Sequence, residues 1–353
     1  MNFLNKRSVW VAITLIFSIC LTTCAGMALL DVFVVESDLD EDIIVEQIDF
    51  SGGSGAVNEN LLERETTFSE ETPQNKKETS SMESSEVLSP VNADIAKYIL
   101  LTKEIGSYAN DNASISVFEK IFTVGKDKTT YFVVDIKVSS VEYLKTALAS
   151  GDEKLTVNKT ETVADMAKAK NAIFAINGDG CGQSKRSTGY VVRNGVTYRS
   201  AARKSSGDTE ALVVYGDGSM GIIDETKTAL DSVVNKWQVF SFGPALINNG
   251  AISVTEKQEI SGQSMADNPR TAIGMVKPLH YVIIVGNGRT NESKGLTLYQ
   301  LALALAYEGC TVGYNLDGGG SSTLWFNGKV INYPTTNGRY SEREVSDIVY
   351  IQS

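Results

Sequence analysis

The chain has 353 residues, 42% of them hydrophobic and 8% aromatic, which suits one or two globular domains with a real apolar core. Its net charge of −11 is confined to one stretch: residues 1–30 carry only Lys6 and Arg7, residues 31–90 carry 16 acids against Arg64, Lys76 and Lys77, and the remainder is balanced. No basic patch exists, which argues against a nucleic-acid partner, and the single histidine, His280, rules out the multi-histidine metal sites of many phosphodiesterases and zinc hydrolases.

Residues 9–30 contain no charged side chain, a run long enough to cross a bilayer as one helix of about 20 residues. Lys6 and Arg7 precede it and acids follow from Asp31, so the positive-inside rule puts the N-terminus in the cytoplasm and the rest of the chain outside. The rival reading is a cleaved signal peptide, whose apolar stretch is usually only about 7–15 residues. Residues 31–91, rich in Glu, Ser and Thr, have few large apolar side chains to pack and read as a disordered stalk. The folded domain is expected over 92–353.

Within it, apolar residues at helical spacing predict a helix over 94–105. Residues 115–124 and 130–138 read as two strands joined at Gly125-Lys126-Asp127-Lys128. Thr162 opens a short helix that ends near Lys170, and residues 172–176 form a buried strand ending at Asn177-Gly178-Asp179-Gly180. Turns at Asn194-Gly195, Gly216-Asp217-Gly218, Asn248-Asn249-Gly250 and Asn327-Gly328 predict antiparallel hairpins. His280 lies in an apolar run, 279–285, that reads as a buried strand, so its role is structural and a Ser-His-Asp triad is not expected. Thr297-Leu298-Tyr299-Gln300 is a capping box opening a helix that stops at Gly309. A strand over 311–316 then runs into Asp317-Gly318-Gly319-Gly320-Ser321-Ser322. Cys20 and Cys24 sit in the apolar segment, and Cys181 and Cys310 flank strands. If those strands are parallel neighbours, the two sulfurs lie at opposite ends of about 20 Å of sheet, so no bridge is expected.

Three consecutive glycines after a buried strand cost conformational entropy, so something needs the bare backbone there. One reading is a loop whose amides cradle an anion, with Asp317 at its mouth; the other is a tight turn capped by Asp317. Arg270, in Asn268-Pro269-Arg270-Thr271, reads either as a partner for paired bonds to a phosphate oxygen or as an ordinary surface arginine, and Gly286-Asn287-Gly288-Arg289 also follows a strand.

Taken in order, Asn177-Gly178-Asp179, the segment 189–195, Phe242-Gly243-Pro244, Asn268-Pro269-Arg270-Thr271-Ala272, Gly295-Leu296-Thr297 and Asn315-Leu316-Asp317-Gly318-Gly319-Gly320 resemble the phosphodiester glycosidase family, the NAGPA-type domain of uncovering enzymes and of bacterial exopolysaccharide-associated proteins. The resemblance covers residues 115–353. It implies an α+β fold: a large, mostly antiparallel or mixed sheet with flanking helices. It also implies a site in which Asp317, Asp179 and Arg270 act on the substrate, while Asn177, Gly178, Arg289, Gly318, Gly319, Gly320, Ser321, Ser322 and Arg343 line it. Bacterial relatives commonly carry bulky aromatics where this chain has Gly180-Cys181-Gly182, a departure expected to widen the pocket. They also often carry Asp-Gly-Arg where it has Asn287-Gly288-Arg289, which removes a carboxylate.

The expected function is an extracytoplasmic hydrolase that frees a sugar from a glycosyl phosphodiester of envelope or extracellular glycan. Asp317 or Asp179 would serve as base or nucleophile and the arginines would hold phosphate. No cofactor is required, although a divalent ion such as Ca²⁺ on these carboxylates is conceivable. The alternative is a non-catalytic carbohydrate-binding or exopolysaccharide-assembly protein displayed on the stalk.

Overall fold

The computed structural model describes residues 98–149, 151, 153–183, 188–203, 208–256 and 266–353. The expected membrane anchor (1–30) and stalk (31–91) lie outside them, and among the described residues no helix is long and apolar enough to cross a membrane.

In chain order the strands and helices are β1 (Ile99–Ala109), β2 (Ala113–Val124), β3 (Asp127–Val138), β4 (Lys145–Leu148), α1 (Val163–Ala169), β5 (Ala172–Asn177), β6 (Val191–Arg193), β7 (Val196–Arg199), β8 (Glu210–Tyr215), β9 (Met220–Asp224) and β10 (Lys236–Phe240). There follow β11 (Ala245–Asn248), β12 (Ala251–Ile252), β13 (Arg270–Lys277), β14 (His280–Gly286), α2 (Leu298–Tyr307), β15 (Val312–Asn315), β16 (Leu324–Phe326), β17 (Lys329–Val330), β18 (Thr335–Thr336), β19 (Arg339–Tyr340) and β20 (Asp347–Gln352).

The single large sheet expected from the sequence is instead an eight-stranded sheet (β1-β2-β3-β14-β13-β15-β11-β12), two five-stranded sheets (β7-β6-β10-β8-β9 and β17-β16-β5-β20-β4) and a small ribbon (β18-β19). The strand pairs in them run antiparallel, with no mixed sheet among the described residues. Two α-helices occur among these residues.

Alternation along the strands explains the layers. On β3, Phe132, Val134 and Ile136 enter the central core while Tyr131 and Val133 enter another cluster on the opposite face. β14 does the same, with Tyr281, Ile283 and Val285 on one side and Val282 and Ile284 on the other. A strand buried on both faces reads as a continuous apolar run, as 279–285 does. The central core is shared by the two five-stranded sheets, through Leu212, Phe240, Phe174 and Val349. The helix α2 covers the other face of the large sheet with Leu298, Leu301, Ala302 and Leu305. The helix α1 covers the outer face of the β5 sheet with Val163, Met166 and Ala167 against Ala175, Trp325 and Ile348.

The helix expected over 94–105 is corrected: from Ile99 the chain is strand β1, paired along β2 as far as Ala109↔Ser114. Helical spacing of apolar residues in so short a window is a weak preference, and the open edge of β2 supplies a full set of backbone partners that overrides it. The four-residue loop expected after β2 is a tighter turn, since Val124 pairs with Asp127 and Gly125 takes the positive φ. Both helices begin where the sequence predicts: Thr162 Oγ1 accepts from the Asp165 amide at 3.1 Å, and Thr297 and Gln300 form a complete capping box.

Cys181 and Cys310 are free thiols, as expected, but for a different reason: β5 and β15 belong to different sheets, so they are not parallel neighbours. Cys181 packs with Leu148 and Val191, and Cys310 packs under α2.

Replacing Thr297 by Ala removes the hydroxyl that accepts from the Gln300 amide at 3.1 Å and should cost about 1 kcal/mol. Urea titration reads this as a lower midpoint with an unchanged slope; an unchanged midpoint would show that the cap contributes nothing.

Candidate active site

The site forms at the seam between two sheets. β5 ends at Asn177, β15 ends at Asn315 and β13 begins at Arg270. Asn177 stitches the three together: its Nδ2 donates to the Asp317 carbonyl at 2.7 Å and its Oδ1 accepts from Thr271 Oγ1 at 2.8 Å. The Asp317 amide in turn donates to the Gly178 carbonyl at 3.3 Å. Motifs 140 residues apart are thereby joined.

The Asp317 carboxylate is buried, and three kinds of donor meet it. Oδ1 accepts from the Gly318 amide at 2.9 Å, Oδ2 accepts from Ser321 Oγ at 2.7 Å, and Arg343 Nη2 approaches both oxygens, at 3.3 and 3.1 Å. Arg343 also donates to Ser321 Oγ through Nη2 (2.6 Å) and Nε (2.9 Å) and to the Gly318 carbonyl at 3.0 Å. Burial raises the Asp317 pKa above its ordinary value, and Arg343 and Ser321 oppose that rise. The Arg343 side chain is 39% exposed while that of Asp317 is 11% exposed, so the guanidinium is the solvent-facing half of the pair.

The three glycines follow from crowding. A Cβ on Gly318 would lie 3.0 Å from the Pro269 carbonyl, one on Gly319 2.9 Å from Arg289 Nη2, and one on Gly320 2.7 Å from Thr336 Oγ1. Gly319 also has φ +63°, which other residues rarely adopt. Most amides of this turn serve its own shape: Gly318 donates to Asp317, Gly319 to the Pro269 carbonyl, Ser321 to the Gly318 carbonyl and Ser322 to the Gly319 carbonyl, which favours the reading of a tight turn capped by Asp317.

Three arginines surround it. Arg343 is described above. Arg289, exposed, holds Asn268 Oδ1 through Nε (3.2 Å) and Nη2 (3.0 Å) and reaches over Gly319. Arg270 is buried: its Nε donates to the Leu296 carbonyl at 3.0 Å and its Nη2 to the Ala266 carbonyl at 2.9 Å. Burial lowers its pKa to about 10, Asp267 opposes that fall and the neighbouring charge of Arg289 adds to it. Arg270 therefore braces backbone at the wall of the site.

Asp179 faces elsewhere. Its Oδ1 accepts from Arg193 Nη2 at 2.6 Å and from the Cys181 amide at 3.1 Å, and its Oδ2 accepts from the Ser241 amide at 2.8 Å. Arg193 Nη2 also donates to Asp347 Oδ2 at 2.9 Å, and its guanidinium lies 4.5 Å from the centre of the Phe240 ring. Burial, then the charge of Asp179, raises the Asp347 pKa to about 6. Gly178 is fitted to this network, since a Cβ there would come within 2.1 Å of Asp347 Oδ2. The sequence reading gave neither Arg193 nor Asp347 a role. The available signal was a charged residue joined directly to an apolar strand run: Val191-Val192 before Arg193, Ile348-Val349 after Asp347.

Among the described residues, Asp179, Cys181 and Asp347 bring potential metal-ligating atoms within 4.8 Å of one another. The Arg193 guanidinium already bridges the two carboxylates, so this donor set fits an internal cation rather than a divalent ion. In Gly180-Cys181-Gly182, a Cβ on Gly180 would lie 2.9 Å from Gln183 Oε1 and 3.5 Å from Asp317 Oδ2, one on Gly182 would meet Leu155 Cδ1 at 3.0 Å, and Cys181 is buried. His280 sits at the other end of β14, paired with Lys277 while Gly286 pairs with Arg270, and its Nε2 lies 2.6 Å from Asp135 Oδ2.

Residues 170–352 match the family described as phosphodiester glycosidase, and with more than half of its length inside that match the chain belongs to this family. The match starts later than the motifs expected from 115. The SPbeta prophage-derived protein YomE of Bacillus subtilis (strain 168) is 32% identical over 179 residues, which is 50% of this chain and 28% of YomE. The N-acetylglucosamine-1-phosphodiester alpha-N-acetylglucosaminidase of Mus musculus is 29% identical over 208 residues, 54% of this chain and 39% of the mouse protein. The chain thus spans well under half of these relatives. The solved catalytic domain of the zebrafish N-acetylglucosamine-1-phosphodiester alpha-N-acetylglucosaminidase, auto-inhibited by its pro-peptide, shares the fold with a TM-score of 0.57 at 20% identity, over 78% of this chain and 96% of that one.

Replacing Arg193 by Met would leave Asp179 and Asp347 buried without their shared cation, and should cost about 3–5 kcal/mol. A denaturant midpoint within error of the parent's would show that the guanidinium does not hold this wall together.

Proposed function

We propose that the domain hydrolyses glycosyl phosphodiesters, with Asp317 as the carboxylate that takes part in the chemistry at the anomeric carbon. The observation that carries this reading is the Asp317–Ser321–Arg343 network. It sets a buried acid with a raised pKa against a guanidinium that faces solvent, in a chain of this family. In the reaction the bond from the anomeric carbon to the phosphate oxygen breaks, its electron pair leaves with the phosphate monoester, and an oxygen from water replaces it on the sugar. The departing phosphate is a stable anion, so a strong general acid is less needed than in ordinary glycosidases. Asp317 serves either as base toward the water or as nucleophile in a two-step path. Arg343 and Arg289 take the phosphate oxygens. Ser321 holds Asp317 in one rotamer and passes its orientation to Arg343. Asp179 positions: through Arg193 and the Ser241 amide it keeps the end of β5 beneath Asp317.

The test follows sugar release from a panel of glycosyl phosphodiesters, including those of N-acetylglucosamine. Asp317→Asn should lower the rate about 10³-fold, with a denaturant midpoint no lower than the parent's, because the replaced carboxylate is one whose charge burial disfavours. An Asn variant that keeps most of the rate would remove Asp317 from the chemistry. The ionised carboxylate is the working form and its folded pKa is raised. Activity should therefore rise with pH through a limb lying above the ordinary Asp range near 3.9, and be lost below it. A limb at or below that range would contradict the assignment.

We also propose display outside the cell on an anchor over 9–30 and a stalk over 31–91. The support is the uncharged run preceded by Lys6 and Arg7, then the acidic Ser/Thr/Glu-rich segment. Membrane fractionation with protease added to intact cells should find the domain membrane-bound and digestible. Protection from protease, or recovery in the soluble fraction, would overturn this placement.

A further inference from the structure

The turn after Asp179 brings one more side chain to the Asp317 carboxylate. Every amide of residues 180–183 holds the turn in shape. Gly180 donates to Asp347 Oδ1 at 3.2 Å, Cys181 to Asp179 Oδ1 at 3.1 Å, Gly182 to Ser346 Oγ at 3.1 Å and Gln183 to the Gly180 carbonyl at 3.1 Å. The last bond closes the turn, and the Gln183 side chain folds back over Gly180. A Cβ on Gly180 would lie 2.9 Å from Gln183 Oε1 and 3.5 Å from Asp317 Oδ2. Gly180 has φ +69°, so the backbone asks for glycine in any case. The turn does not by itself require a carboxamide oxygen and a buried carboxylate oxygen to face the same bare Cα.

Two acceptors around one small space suit a molecule with two protons to donate, and water is the smallest. One O–H would point to Asp317 Oδ2 and the other to Gln183 Oε1, which turns a lone pair of the water away from both. Asp317 alone would hold the water by a single bond and leave it free to swing. A second acceptor on a turn already tied down fixes where the lone pair points, and orientation of this kind lowers the barrier to attack. A carboxamide provides it without a charge that would compete with Asp317 for the proton.

We propose that Gln183 orients the attacking water against Asp317, with Asp317 as its base. This rests on the reading of Asp317 given above. In the step, the water oxygen bonds to the anomeric carbon and the bond from that carbon to the phosphate oxygen breaks, its electron pair leaving with the phosphate monoester. One water proton passes to Asp317 Oδ2, and the other stays on the new sugar hydroxyl, held by Gln183 Oε1.

The test runs the panel of glycosyl phosphodiesters in buffer containing methanol and counts free sugar and methyl glycoside separately. Methanol has one O–H to donate, so the parent should favour water by about tenfold over the ratio of the two concentrations, roughly the worth of one hydrogen bond. Gln183→Ala should erase most of that preference and lower kcat for sugar release about tenfold, with KM within about twofold of the parent's. Gln183→Glu keeps an acceptor oxygen and should keep the preference, while its added negative charge beside Asp317 moves the acid limb of activity to higher pH. The product ratio comes only from molecules that turn over, so partial unfolding of a variant does not move it. A ratio unchanged in Gln183→Ala, or a loss confined to KM, overturns the assignment, the latter by placing Gln183 against the sugar. Cleavage that needs Asp317 but has a ratio indifferent to Gln183 overturns this assignment alone. If the parent cleaves no diester of the panel, the hydrolase reading falls and this assignment falls with it.

Discussion

The guanidinium of Arg193 lies buried between the carboxylates of Asp179 and Asp347, and the geometry of the site depends on it. Arg193 ends β6 in one five-stranded sheet, Asp347 begins β20 in the other, and Asp179 follows β5. Taking three charges out of water is costly, and hydrogen bonds to their other polar atoms offset much of that cost. Here Arg193 Nη1 donates to the carbonyls of Val192 and Val239, Asp179 accepts from two backbone amides, and Asp347 accepts from the Gly180 amide, while Arg193 Nε is buried without a partner among the described residues. The network therefore joins two sheets at the level of Gly178, whose carbonyl in turn receives the Asp317 amide.

On that base Asp179 and Asp317 face different partners. Asp179 points inward to Arg193 and backbone amides, whereas Asp317 points to Ser321 and to a guanidinium at the surface. The division follows from environment. An acid surrounded by a buried cation and two amides is a strut. One whose charge is disfavoured by burial and only partly compensated by a solvent-facing partner keeps reactivity in reserve. The glycine turn serves this second acid by letting Pro269, Arg289 and Thr336 close around it.

The arginines likewise differ by exposure. Arg270 is sunk into the wall and holds the carbonyls of Leu296 and Ala266, so its charge shapes the site from behind. Arg289 and Arg343 face outward, Arg289 over Gly319 and Arg343 against the Asp317 carboxylate.

Much of this was legible in the chain alone because it is local. The capping box at Thr297 and the Asn-Gly and Gly-Asp-Gly turns each depend on residues a few positions apart, as does the two-sided burial of 279–285, and each appears where the spacing predicts. The motifs around Asn177, Arg270 and Asp317 marked the site for the same reason. What the sequence could not carry is pairing across distance. The edge of β2 turned an apparent helix into β1, and one expected sheet became three larger ones and a ribbon. The different partners of Asp179 and Asp317, the burial of Arg193 against Asp347 and the inward turn of Arg270 come from which charged groups the folded sheets bury against one another. Residue type and spacing place an acid at a strand end; only the tertiary structure determines whether a buried cation or the solvent lies opposite it, because that depends on strands more than a hundred residues away.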